Sequence, residues 1–321
     1  MARDITDRVS VADRARPSTD ADTYGGDAVA GRMVWSPFKL AWFALFAVPA
    51  VLLGPGTASV QTVALWLGLS AVTLCGGHSL GMHRWLIHES FSCPHWLGVF
   101  GVWLGTLTGL GGPVTMMRTH DVRDWAQRQT SCHPFFSQNA PIALDTLRQI
   151  GARFELRDDV RFQPSERIRR SRALRLLQRT SMLQNGAVAL LLFAIGGLPF
   201  VVWGVCVRVT VSMLGHSLVG WFAHNQGKHF RGHFVVEHAG VQGQDVAGPG
   251  GMFGLITFGE CWHNNHHAFP ESARYGLLRG QLDPGWWVLV VLRKLGLVWD
   301  VVEAEPKRCS VPSRQGFRGV T

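Results

Sequence analysis

The chain has 321 residues and a formal net charge of +9, with 47% hydrophobic and only 17% charged residues. Long apolar blocks alternate with Arg-rich polar blocks, which excludes an ordinary soluble domain pair and marks one integral membrane unit. Six Cys without a CxxC pair exclude a disulfide framework and fit reduced thiols facing the cytoplasm, and no nucleic-acid motif accompanies the basic charge, so nucleic acid is not an expected partner.

Residues 1–32 are polar, of mixed charge and without an apolar leader core, so a disordered cytoplasmic tail is expected and no cleaved signal peptide. An apolar block over 33–53 ends at Gly54-Pro55-Gly56, and a second runs over 60–80. Each has the roughly 20 residues that span a bilayer, and the uncharged turn between them falls on the non-cytoplasmic side. His78, His83, Arg84 and His88 follow. The uncharged stretch 95–117 has the length of a span, but crossing the membrane would put His83 and His88 opposite His120. A re-entrant or interfacial path keeps them together, and its glycines at 98, 101, 105, 109, 111 and 112 suit an irregular course.

Residues 118–179 hold thirteen Arg and no Lys, which places them in the cytoplasm. Within them, 165–178 reads as a basic helix. Apolar blocks over 182–195 and 200–222 flank the turn Gly196-Gly-Leu-Pro199. Four spans result, with both termini and every His-rich segment on the cytoplasmic side. The short apolar stretch 286–299, with Arg293 and Lys294, is expected at the interface. The fold class is therefore all-α, integral and multi-pass: four transmembrane helices under a cytoplasmic helical cap. The membrane domain covers 33–300, and 301–321 form a C-terminal tail.

The densest chemical signal is His263-Asn-Asn-His266-His267, with imidazoles at i, i+3 and i+4 on one helical face. With His83, His88, His120 and His224 it makes seven imidazoles, more than one metal ion can use, and the donor type suits first-row transition metals. Asp124, one turn after His120, is a candidate carboxylate ligand. Glu260, Asp121 and Asn265 are candidates to orient the ligands through hydrogen bonds. Trp125 and Trp262 could wall the site against water. Arg84 and Arg118 are placed to meet an anionic headgroup. His78, His95, His133 and His216 read as packing or structural groups, with His133 a possible replacement ligand. His229, His233 and His238 read as solvated loop residues.

His83-Arg84-x3-His88, His224 and Glu260-x-Trp-His-Asn-Asn-His-His267 resemble the membrane fatty acyl desaturases of the stearoyl-CoA desaturase type, over residues 35–300. The resemblance implies two iron ions, O2 as co-substrate, and abstraction of hydrogen from an unactivated methylene to leave a double bond in an acyl-CoA or acyl-lipid chain. It also implies a separate electron donor of the ferredoxin or cytochrome b5 type with its reductase, since no HPGG box or flavin fingerprint occurs here. The second histidine box departs from the family pattern His-x-x-His-His. His120 keeps the first place, while Arg123, which cannot bind a metal, and Asp124 stand in the other two. Gly220 stands where the family has an Asn four residues before His224. Three outcomes stay open for the second box: one iron held with a carboxylate and water, one iron weak or absent, or Asp124 paired with Arg123 and Arg128. Three functions stay open with them: acyl desaturase, lipid hydroxylase of the same di-metal type, and a non-catalytic lipid- or metal-binding relative.

Overall fold

The computed structural model describes residues 28–127, 131–138, 140–157, 164–224 and 243–304. His229, His233, His238 and Arg128, and most of both tails, lie outside the described residues.

Strand β1 (Gly31–Trp35) leads into helix α1 (Pro37–Leu53), where Pro37 occupies the first turn and the Ser36 side chain accepts the Lys39 N–H. Helix α2 (Val60–Ala71) begins with a capping box, Ser59 to Thr62, and runs on as a π-helical stretch from Val72 to Ile87. Helices α3 (His95–Thr106) and α4 (Pro113–Gln127) follow. Stretch 95–117 is therefore not one rod. At 12 residues, α3 reaches only about 18 Å, too short for a bilayer. It lies against the end of α2 through facing glycines: a Cβ on Gly81 would sit 2.3 Å from the Gly101 carbonyl carbon. The short return brings His120 back beside His83 and His88.

Helices α5 (Pro134–Ser137) and α6 (Ile142–Gly151) precede strand β2 (Ala152–Leu156), which pairs antiparallel with β1. This ribbon departs from the all-α expectation. Its partners lie about 120 residues apart, beyond any local period. Ala28 is buried, so the folded part begins before residue 33.

The basic stretch 165–178 is two helices, not one. Helix α7 (Glu166–Arg170) stops at Ser171, whose extended backbone breaks the path and whose hydroxyl caps α8 (Arg172–Val201) by accepting the Leu174 N–H. Gly197, at φ +66°, turns the chain inside α8 where glycine alone is unstrained. A π-helical stretch from Val202 to Val207 leads into α9 (Arg208–His224). Gly204 packs on Leu192, so the two arms fold back on each other; a straight helix would separate these residues by about 18 Å. Helices α10 (Met252–Ile256), α11 (His263–Ala268) and α12 (Pro284–Lys294) complete the cap.

Two continuous helical segments, Val60–Ile87 and Arg172–His224, are long and apolar enough to cross a membrane, while α1 is apolar but shorter. Val48, Val51 and Leu52 on α1, and Leu183, Leu190 and Ile195 on α8, face outward. Apolar side chains displayed in such number need a non-aqueous partner.

Candidate metal centre

Seven histidines from α2, α4, α9 and α11 converge, in two sets. His83, His88, His120 and His266 form one; His224, His263 and His267 form the other. His83 and His88 are five residues apart, which would leave them about 140° apart around an α-helix. The π-helical end of α2 removes that divergence. His88 N–H bonds to the His83 carbonyl, the i to i+5 pattern, and the ring centroids are 4.8 Å apart. The triple-His motif is divided: His263 and His267, one turn apart, join one set, and His266 joins the other.

Within the first set, Nε2 of His120 lies 3.0 Å from Nε2 of His83 and 3.2 Å from Nε2 of His88. In the second set, Nε2 of His263 lies 2.7 Å from that of His224 and 2.8 Å from that of His267. Nitrogens bound tetrahedrally to one ion stand about 3.3 Å apart, so these spacings are close to a ligand cage. Burial, then the surrounding imidazoles, holds His263 and His266 well below the ordinary imidazole range. They are neutral and keep a lone pair for a metal. Both ring nitrogens of His266 are buried and find no hydrogen-bond partner among the described residues, and a metal bond would satisfy one of them. The donors therefore fit first-row metal ions.

Asp124 stands between the sets, 5% exposed, with Oδ2 3.7 Å from His120 Nε2 and Oδ1 3.9 Å from His267 Nε2. Burial would lower His120, but Asp124 and then Asp121 outweigh it and raise it. Glu260 Oε2 lies 2.7 Å from His83 Nδ1, and its other oxygen accepts from the Ser79 hydroxyl at 2.6 Å. Asp121 stands 3.4 Å behind His120 Nδ1. Both carboxylates thus stand at Nδ1, leaving Nε2 of each ring toward the other imidazoles.

Three expected roles change. Arg84 meets no headgroup: it is fully buried, donating to Asp283 at 2.9 Å and to the carbonyls of Ala273 and Phe258, because its helix face turns into the cap. Among the described residues, no hydrogen bond joins Asn265 to one of the seven imidazoles. Its amide donates to the Tyr275 carbonyl and Gln281, which ties α11 to the following loop. His133 is no replacement ligand; its Nδ1 accepts the Phe135 N–H and its ring packs 4.4 Å from Phe154. Arg118 is exposed on α4. Arg123 turns to Gln149, 2.5 Å away. His95 bonds Ser171, and His78 packs edge-on to His216. Trp262 is fully buried, with its indole N–H on the Leu282 carbonyl.

Sequence reasoning missed Asp245, Tyr275 and Asp283. Asp245 Oδ1 accepts the backbone N–H groups of Asn264 and Asn265 at 2.8 and 3.2 Å, holding the first turn of α11. Tyr275 is buried, its hydroxyl 3.3 Å from His83 Nδ1 and its ring under the Arg84 guanidinium. Asp283 caps α12 and neutralises Arg84. No local motif marks these residues, since each acts on a partner from another segment.

Residues 58–281 match the family model for fatty acid desaturase. The chain is 34% identical to an sn-1 stearoyl-lipid 9-desaturase of Synechocystis sp. over 70% of its own length and 67% of the relative's. It is 32% identical to an sn-2 palmitoyl-lipid 9-desaturase of Nostoc sp., covering 72% and 78%, and 31% identical to an acyl-CoA 5-desaturase of Anemone leveillei, covering 74% and 71%. With its helical fold, apolar helices and paired histidine sets, the chain is an enzyme that belongs to the fatty acid desaturase family.

Proposed function

We propose that this enzyme is a multi-pass membrane acyl desaturase that uses two iron ions and O2 to place a C=C bond in an acyl chain carried on CoA or on a lipid. The observation that carries the reading is the pair of converging imidazole sets, one of four and one of three, with Asp124 between them. The four-histidine set would hold one iron, and the three-histidine set with Asp124 the other. Bound iron supplies the O2-activating chemistry needed to take hydrogen from an unactivated methylene. The balance requires four electrons for O2 to become two waters: two come from the broken C–H bonds and two from an outside donor.

The protein's share is orientation and exclusion of water. Glu260 holds the His83 ring through Nδ1, and Asp245 fixes the turn that carries His263 and His266. Trp125 and Trp262, both buried, shield the site. Helix α1, the α2 segment and the two arms joined at Gly197 would form four spans, with both termini and the metal centre in the cytoplasm. The exposed Arg118 is available to an anionic headgroup. A ferredoxin or cytochrome b5-type donor with its reductase would dock on the exposed basic side chains around Arg169 and Arg170.

The test is product analysis with purified, iron-loaded protein, a donor system and candidate acyl chains. Loss of two hydrogens supports desaturation, whereas gain of one oxygen makes the enzyme a hydroxylase. Absence of any turnover across acyl-CoA and acyl-lipid substrates, with iron bound, would sink the reading.

A further inference from the structure

We infer that Asp124 is a bridging ligand, one carboxylate oxygen for each metal, which couples two sites that a histidine in its place would leave separate. The inference rests on the two-iron reading above and adds to it how the two ions depend on each other.

The geometry starts from α4. His120 and Asp124 are one turn apart, so they share a face. The Asp124 carboxylate then lies between the histidine sets, with its two oxygens divided: Oδ2 faces His120 at 3.7 Å and Oδ1 faces His267 at 3.9 Å. Each separation is within about 1 Å of the spacing between ligands on one ion. The other nearby carboxylates take a different position. Glu260 and Asp121 approach Nδ1 of His83 and His120, on the side of each ring away from the Nε2 cluster. Among the described acidic residues near the centre, Asp124 is therefore the one that faces both sets.

A carboxylate shared by both sets brings the set of four imidazoles to five donors and the set of three to four. Imidazole ligands bring no negative charge to offset two divalent cations. A carboxylate shared by both offsets part of the repulsion between the ions. An imidazole with its Nδ1 protonated has one lone pair and serves one ion; a carboxylate has two oxygens and serves two. Replacing histidine by aspartate in the second box thus changes the connectivity of the centre, not only its ligand count.

The test uses the full-length chain in detergent, stripped of metal and titrated anaerobically with Co2+. Ions per chain are counted by elemental analysis, and coupling between them is read by magnetic susceptibility. The wild-type protein is expected to take up about two ions that are magnetically coupled. Asp124→Asn is expected to keep one tight ion in the four-histidine set and to weaken the second by roughly 100-fold or more, beyond the ~10–100-fold typical of groups that only orient a ligand. Asp124→His, which keeps a donor at the position, is expected to hold two ions without the coupling. An Asp124→Asn protein that loads two coupled ions as tightly as wild type overturns the bridge and leaves the two-metal reading standing. A wild-type protein that binds a single ion overturns the bridge in favour of a mononuclear centre, and one that binds none overturns both readings.

Discussion

Glu260 lies 2.7 Å behind His83, at the ring nitrogen turned away from His120, and a second hydrogen bond from Ser79 holds it there. The pair joins α2 to the loop before α11 across 177 residues. A metal on Nε2 of His83 would leave the proton on Nδ1, pointing at this carboxylate, which would set the tautomer and make the ring a better donor. Glu260→Gln should lower metal affinity about 10–100-fold with little loss of folded protein. Competition against a chelator measures it, and an unchanged midpoint would remove Glu260 from this role.

Asp245 serves the same helix by another route. Asp245→Ala leaves two buried backbone N–H groups of α11 without their acceptor and should cost about 2–4 kcal/mol, whereas Asp245→Asn keeps an acceptor oxygen and should cost less than half of that. Thermal unfolding in detergent separates the two variants; equal losses would argue against the capping role.

The same residue predicts a pH dependence. Burial pushes the Asp245 carboxyl from 3.8 up to about 7, against the N–H groups that it accepts. Across that interval the folded protein holds a proton that the unfolded chain has released. Its contribution to stability therefore falls as pH rises from about 4 to about 7 and is level above. Wild type should lose more thermal stability than Asp245→Asn between these limits, and parallel curves would refute the assignment.

Arg84 is a stability residue. Its pairing with Asp283 is fully buried, so Arg84→Met strands a carboxylate and should cost about 3–5 kcal/mol. The double variant Arg84→Met with Asp283→Asn should recover part of the loss in an unfolding experiment. A change confined to substrate KM, with stability intact, would return Arg84 to a headgroup role.

The glycine contact between α2 and α3 gives a paired test. Gly81→Ala drives a methyl into the Gly101 backbone, 2.3 Å away, and backbone cannot swing aside. Gly76→Ala meets only the end of Leu104 at 3.5 Å. The first should lower folded yield and metal content together, and the second should leave both near wild type. Similar behaviour of the two variants in size-exclusion profiles and metal analysis would contradict this packing.

The mostly helical fold, its apolar helices and the histidines that converge are legible in the sequence. Seven histidines placed next to apolar blocks, three of them at helical spacing, point to a metal site at one end of apolar helices, because residue type and local periodicity are written residue by residue. What it left open was how those donors divide. That His266 joins His83 while its neighbour His267 joins His224 depends on how α11 is turned between α2 and α9. That His83 and His88 agree in direction depends on the π-helical end of α2, which an α-helical wheel does not anticipate. Arg84 looks like a surface charge from its place beside a histidine, and only the arrival of Asp283, 199 residues later, makes it an interior one. The β1–β2 ribbon, the anchoring of α11 by Asp245, and the seat of Asp124 between the two sets have the same origin. Each needs a partner from a distant segment, and long-range pairing is set by the packing of whole helices, which no local pattern encodes.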